Sequence, residues 1–318
     1  MSRTSASARL VSLWEKTGML LVLIVLLAAF SLFVPYFSTW RNATSLLQSV
    51  ATIGTIACTM LFCLASGDFD LSVGSIVAMT GVVAALAANA TGSIVCGVAA
   101  GMLAGGVVGF FNGFVIAQLG INALITTLAS MEIVRGLAYI LSHNTPVGLR
   151  IAALYSLGQG QMLGISTPVW IMAGCFVLFG LLLNGTIFGR NTLAIGGNAE
   201  ASRLAGIGVV RYKIIIFALQ GLVAGFAGVI ETARFTMGDP KAGQGLELDV
   251  ISACVLGGVS LTGGVGTMMG VVIGVFIMGA VDNAMELRNI DSNYQYCVRG
   301  GILLAAVLID RLKQWITR

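Results

Sequence analysis

The sequence predicts an all-α, polytopic transmembrane helical bundle of about ten membrane segments, on three observations. Of the 318 residues, 57% are hydrophobic and 9% charged, whereas a soluble globular domain carries about 25% charged residues. Apolar stretches recur from one end to the other, each reaching or approaching the roughly 17–25 residues that take a helix across the hydrocarbon core. The 42 glycines sit among Val, Ile, Leu and Ala rather than Ser, Gln and Pro, which is the setting of close helix packing and not of a disordered chain. A single transmembrane domain over 1–318 follows, without a soluble one.

Taken in order, the chain opens with a basic start and an apolar stretch from Met1 to Val34. No small-residue cleavage site follows it, so a retained first span is expected rather than a signal peptide. Segments are then expected near 19–37, 45–65, 71–89, 93–117 and 121–141, and near 168–187, 213–232, 248–260, 264–284 and 294–310. At a 1.5 Å rise per residue, 248–260 is too short for a full crossing and reads as a half-helix or re-entrant piece. The loop 142–167 divides the ten into two fives, and an odd number per half makes an internal repeat inverted in the membrane. Each half contains a Gly-rich polar interruption, at Ser66–Ser72 and Gly257–Gly264, and a Val-Arg-Gly triplet, at Val134 and Val298.

Charge orients the bundle. With both termini cytoplasmic, the inner loops hold Arg3, Arg9, Lys16, Arg190, Arg203, Arg211, Lys213, Arg311, Lys313 and Arg318. The outer loops hold only Arg41, Arg150, Arg234, Lys241 and Arg288, while Arg135 and Arg299 lie within segments. The excess has the sign of the positive-inside rule. The 17 basic residues form no tract that would grip nucleic acid. The six cysteines lie in or beside apolar runs with no C-x-x-C pair, and His143 is the single histidine, so neither a disulfide framework nor a zinc site is expected. Each of the four lysines follows Glu15, Tyr212, Pro240 or Leu312, which excludes the Gly-Lys-Ser/Thr of a phosphate-binding loop. No nucleophile elbow accompanies His143, so no enzyme is expected.

Gly97, Gly101, Gly105, Gly109 and Gly113 recur at four-residue steps, as do Gly266, Gly270 and Gly274. Such faces let another backbone approach closely, and they motivate pairing with a second copy of the chain. Asp68 and Asp70 interrupt two apolar runs, where a carboxylate is costly unless solvated or paired. Either they are pathway or gate elements, or Asp70 or Ser72 caps the following helix. Asn112, Asn122, Thr126 and Thr127 suit a path for a polar, uncharged molecule equally with stitching helices together. Glu132 and Arg135, spaced i, i+3, can neutralise each other; a proton relay is the other reading of Glu132, Arg135, Asp282, Asn283, Glu286 and Arg299. The loop 188–212 is basic, and helix formers from Ala199 to Leu204 are bracketed by Gly196, Gly197 and Gly206. A short helix outside the membrane fits, either resting on lipid or docking a cytoplasmic partner.

The stretches Ala65–Val73 (ASGDFDLSV), Gly189–Gly197 (GRNTLAIGG) and Ile251–Leu261 (ISACVLGGVSL) resemble the permease subunits of bacterial ATP-binding cassette importers for ribose, xylose, arabinose and related sugars. The resemblance covers nearly the whole chain. Leu61–Ala65 and Ile121–Ala129 are most similar to the L-arabinose branch of that family. The resemblance implies a type II-like importer permease that passes a monosaccharide across the bacterial inner membrane by alternating access. It also implies the partners: a second permease copy, a cytoplasmic ATPase that holds Mg-ATP, and a periplasmic sugar-binding protein, with no cofactor in this chain. Glu200-Ala201-x-x-x-x-Gly206, with Ile207, matches the family's coupling helix, which inserts into the ATPase; Ser202 stands where a second alanine is common. The rival class is a self-sufficient proton-linked carrier working through Glu132, Asp68 or Asp70.

Overall fold

The computed structural model describes residues 4–151 and 154–316, with side chains described from Gly18 to Leu308. Arg3, Arg9, Lys16, Arg311, Lys313 and Arg318, on which the expected placement of the termini partly rests, lie outside the described side chains. The chain is mostly helical: α1 (Thr4–Phe33), α2 (Trp40–Ala65), α3 (Val73–Thr91), α4 (Ile94–Gln118), α5 (Ala123–Leu141), α6 (Tyr155–Gln159), α7 (Thr167–Gly185), α8 (Ile187–Gly197), α9 (Ala199–Leu204), α10 (Val209–Phe235), α11 (Leu246–Leu256), α12 (Met268–Leu287) and α13 (Ser292–Ile316). Among the described residues, seven helices (α2, α3, α4, α5, α7, α10 and α12) are long and apolar enough to cross a membrane, and Gly18–Phe33 is a shorter apolar stretch. The chain is therefore a multi-pass membrane protein. Two small antiparallel ribbons, β1 (Val147–Gly148) with β4 (Met237–Gly238) and β2 (Gln161–Met162) with β3 (Ile165–Ser166), lie in the connections.

Local chemistry sets the helix ends. Thr39, Ser93, Asn122, Thr186, Asn198 and Thr267 cap α2, α4, α5, α8, α9 and α12, each accepting from a backbone N–H of the first turn that has no partner within the helix. Pro168 opens α7, where its missing N–H costs nothing. The loop that contains α8 was expected to hold one short helix. It holds two, because Gly196 and Gly197 close α8 instead of leading into α9, and Asn198 alone separates them.

α10 is the hub and packs on α2, α3 and α4. Along α4 the glycine face meets its match: a Cβ on Gly105 would run into the backbone of Gly221 and Gly225, and one on Gly109 into Phe217 and Gly221. The opposite face of α4 leaves Leu103, Val107, Phe110 and Phe111 exposed. Gly270 and Gly274 of α12 lie against Gly257 and Ala253 of α11, while Gly266 precedes α12 and faces Leu61. These faces thus close on helices of the same chain, so they no longer argue for a second copy.

α11 and α12 form a hairpin beside α2, and Asn42 and Asn283 exchange side-chain hydrogen bonds of 2.8 and 2.9 Å. After α10 the segment 236–245 turns back into the bundle. Gly238 packs on Gly81 and Gly243 on Gly74, both on α3. The expected segment 248–260 becomes the eleven-residue α11. Arg135, midway along α5, donates to the carbonyls of Pro240 and Ala242 at 2.8 and 2.6 Å. It therefore serves the non-helical backbone at membrane depth, which has to be satisfied by protein. The expected Glu132–Arg135 pair does not form, and Glu132 is exposed. Arg299 on α13 bridges Asp249 of α11 (3.1 Å) and Asp282 of α12 (3.0 Å).

Candidate functional site

Two polar regions stand out in the apolar bundle, one at the end that carries α9 and one towards the end that carries the β1–β4 ribbon. At the α9 end, α2 stops in a left-handed turn. Gly67 has φ +85°, its N–H donates to Leu64, and that of Asp68 donates to Cys63, the 5→2 and 6→1 bonds of a Schellman motif. α11 stops in the same way, with Gly258 at φ +83° bonded to Val255 and Val259 bonded to Cys254. The two interruptions lie side by side: Gly264 N–H donates to Ala65 O at 2.9 Å, and a Cβ on Gly263 would approach Gly67 and Gly196. Gly196, at the close of α8, is wedged against Ala65 and Gly264. Two of the stretches that carry the family resemblance, and the glycines just after the third, therefore meet at one backbone junction.

Beside this junction Asp68 is ion-paired with Lys213, near the start of α10, at 2.7 Å. Asp70 is fully buried and accepts from the Ser72 amide (2.9 Å) and hydroxyl (2.6 Å). Asn112 of α4 donates to the Ser72 hydroxyl at 3.0 Å. Asp70 thus organises the residue before α3, and Ser72, though at the N-cap position, makes no side-chain cap bond. Asp70 Oδ2, Asn112 Oδ1 and both side-chain polar atoms of Gln220 on α10 are buried without a partner among the described residues. Asn122 caps α5 by accepting from Leu124 and Ile125, and the Thr126 hydroxyl returns to Asn122 O. Among the described residues no hydrogen bond brings these two to the Asp68–Ser72 turn.

α9 projects from the junction. Its six residues end in another Schellman turn: Gly206, φ +85°, donates to Arg203, and Ile207 donates to Ser202. No atom lies within 4 Å of a Cβ built on Gly206, so that glycine answers to its backbone angle and not to crowding within the chain. Glu200 and Arg203 form an exposed bidentate pair (2.6 and 3.0 Å). Arg203 holds the Glu200 carboxyl below its ordinary range, and Glu200 raises Arg203 in turn. Ala201 and Leu204 are exposed, Leu204 at 76%. Behind α9, Phe188 of α8 stacks on Tyr212 of α10 (centroids 5.3 Å apart), and Asn191 donates to the Tyr212 hydroxyl at 2.7 Å. Through α8, α9 is thereby joined to the ends of α2 and α10.

The second region is a pair of cavities between α2, α3, α10 and the returning segment. One, of about 230 Å³, is lined by Gly81, Glu231, Thr232, Phe235 and Asp239 among others. The other, of about 210 Å³, is lined by Ser49, Thr52, Arg234, Gln244 and Asp249, and shares Glu231 and Phe235 with the first. None of these was singled out from sequence. Glu231 lay inside the expected segment 213–232, and the rule that marked Glu132, an ionisable group in an apolar run, applied to it equally. Lys213 was read only for orientation, because its partner lies 145 residues upstream.

Residues 42–307 match the family model described as branched-chain amino acid transport system / permease component. The chain is 56% identical to the L-arabinose ABC transporter permease protein AraH of Azospirillum brasilense over 300 residues, covering 94% of this chain and 88% of that protein. It is also 56% identical to the L-arabinose transport system permease protein AraH of Escherichia coli K12 over 302 residues, 95% of this chain and 92% of that one. Identity to the ribose import permease protein RbsC of Escherichia coli K12 is 39% over 299 residues, 93% of each chain. No solved structure matches.

Proposed function

The chain belongs to the family of branched-chain amino acid transport system permease components, and we propose that it is the translocation subunit of an ATP-driven importer that carries a monosaccharide, L-arabinose. The observation that carries the cargo is the 56% identity to arabinose permeases along 94–95% of the chain, against 39% to a ribose permease. Hydrolysis of Mg-ATP belongs to a separate ATPase subunit, and a periplasmic binding protein delivers the sugar. The loop 188–212 is the coupling element and Glu200, Ala201, Gly206 and Ile207 its contact residues. An exposed helix tied to the ends of α2 and α10 supports this, since it presents Ala201 and Leu204 to a partner and passes motion inward. Asp68, Asp70, Ser72 and Asn112 form the gate on that side, with Asn122 and Thr126 along α5.

In this reading α9 and both termini are cytoplasmic, in the bacterial inner membrane, in keeping with the basic-residue excess. α1, α11 and α13 join the seven long apolar helices to make ten membrane segments. An inverted repeat relates α2–α5 to α10–α13. In its support, α3 packs on α4, α5 and α10 while α11 packs on α12, α13 and α2. Gly67-Asp68 follows α2 at one end and Gly238-Asp239 follows α10 at the other, and the Val-Arg-Gly triplets fall on α5 and α13. Two copies form the pathway. Glu132, exposed midway along α5, calls for polar surroundings at that depth, and a hydrated seam between two copies supplies them.

The test is uptake into proteoliposomes that contain the permease, its ATPase and its binding protein. ATP-dependent accumulation of labelled L-arabinose in preference to D-ribose is expected. Accumulation driven by a proton gradient without ATP would overturn the reading in favour of a secondary carrier.

A further inference from the structure

The paired cavities have no place in the coupling scheme, yet they contain an unusual group. Glu231 lies near the end of the long apolar helix α10 and forms a wall common to both cavities. Its carboxylate makes no hydrogen bond and no ion pair among the described residues. Arg234 acts on Glu231 through space without a hydrogen bond, and the neighbouring charges have direct partners elsewhere. Asp249 is held by Arg299, Asp239 accepts from the Lys241 amide at 2.9 Å, and Arg234 donates to Gln48 O at 3.3 Å. Glu231 is half-buried and lines both cavities, so its carboxylate is free to accept from a donor that comes from outside the chain.

The donor's chemistry can be read from the walls. The described residues hold no group of three or more His, Cys, Asp and Glu positioned for a metal, which disfavours a multivalent cation. Thr232 and Phe235 of α10 line the larger cavity together with Met237 and Asp239 of the returning segment, and the Arg234 guanidinium lies over the Phe235 ring at 5.2 Å from its centroid. Carboxylate and hydroxyl acceptors beside an aromatic ring, with Glu231 and Phe235 spaced i, i+4 on one face of α10, suit a neutral molecule that has hydroxyl donors on its edges and C–H groups on its face. At about 230 and 210 Å³ the cavities fall below the roughly 300–1,000 Å³ of drug-sized sites, which fits a single sugar ring and not a disaccharide. We propose that the cavity between α3, the end of α10 and the segment 237–242 is a monosaccharide subsite within one permease chain, with Glu231 as its hydroxyl acceptor and Phe235 as its stacking face. This rests on the sugar-import reading for its cargo, but it adds a resting place inside a single subunit, away from a seam between two copies.

Met237→Cys reads occupancy directly, since Met237 lines the same cavity and the substitution leaves Glu231 and Phe235 in place. The full-length chain, with Cys96→Ala and Cys297→Ala to remove the exposed thiols, carries Met237→Cys and is alkylated in nanodiscs by a small maleimide. L-arabinose at tens of millimolar is expected to slow alkylation at least threefold, whereas sucrose at the same concentration and NaCl or CaCl₂ leave the rate unchanged. Adding Glu231→Gln is expected to abolish the protection, while thermal unfolding of the variant reports that the fold is kept. No slowing by arabinose, equal slowing by sucrose or either salt, or protection that survives Glu231→Gln in a folded chain each overturns the subsite. Uptake by the assembled wild-type importer, measured in parallel, separates the two claims. Arabinose uptake without protection removes the subsite alone, and protection without uptake keeps the subsite and removes the import reading.

Discussion

Alanine at Gly109 should loosen the bundle, while alanine three residues earlier at Gly106 should not. A Cβ on Gly109 would collide with Phe217 O and lie 2.9 and 3.0 Å from the Gly221 backbone N and Cα. All three atoms are backbone within α10, so no side chain can swing aside and the two helices must separate locally by an appreciable fraction of an ångström. A gap of about 0.5–1 Å forfeits a quarter to a half of each dispersion contact, each worth about 0.1–0.2 kcal/mol. If the local interface holds about as many atom pairs as one buried leucine, roughly 40–60, the loss is about 1–6 kcal/mol, whose lower half is the usual range for overpacking. Gly106 is the internal control, because its Cβ would meet only the Leu222 side chain at 3.8 Å, an ordinary contact. Alanine there keeps the helix preference, up to about 1 kcal/mol over glycine, without the collision. The assay is thermal unfolding of the purified chain in detergent, followed by cysteine accessibility. Gly109→Ala should lower the midpoint by several degrees and Gly106→Ala should leave it equal or higher. Equal midpoints for the two variants would refute the claim that α4 and α10 are joined through glycine-to-backbone contact.

At α9, on the proposed coupling role, Gly206→Asn should retain sugar-stimulated ATP hydrolysis in the assembled importer, since asparagine tolerates the left-handed conformation. Gly206→Trp should abolish hydrolysis while leaving the chain in the membrane; stimulation kept by Trp would show that α9 does not fit a partner's cleft. At the Asp68–Lys213 pair, Lys213→Met should cost about 1–3 kcal/mol by stranding Asp68, read as a lower unfolding midpoint, and the Asp68→Asn, Lys213→Met double variant should regain most of it. Additive losses in the double variant would show that the pair contributes nothing to stability.

The positions of the apolar segments were legible because a helix in lipid has to bury its own backbone and so must be long and apolar. α9 was legible from its helix formers and from Gly206. α8 was not, since its two closing glycines resemble a linker until Ala65 and Gly264 are seen pressed against Gly196. Charged residues located themselves only in part. Arg135 was matched to Glu132 because i, i+3 is the only partnership that sequence displays, whereas its partners are carbonyls in a segment that hydropathy had left as a loop. The glycine faces were recognised as packing surfaces, but whether they meet the same chain or another copy depends on which helices the fold makes neighbours.

The Arg135 clamp also bears on how the protein is made. Its acceptors, Pro240 and Ala242, lie 105 and 107 residues downstream. At about 5–20 residues per second of synthesis, α5 enters the membrane on the order of 5–20 s before they exist. Until then the guanidinium is left to lipid headgroups and water at the membrane surface, and α5 is held short of its final depth. Once 236–245 folds back, the arginine gains its two carbonyls and α5 can settle. The first half of the protein is therefore completed only by the second, and a chain truncated before Pro240 should leave α5 shallow and open to degradation.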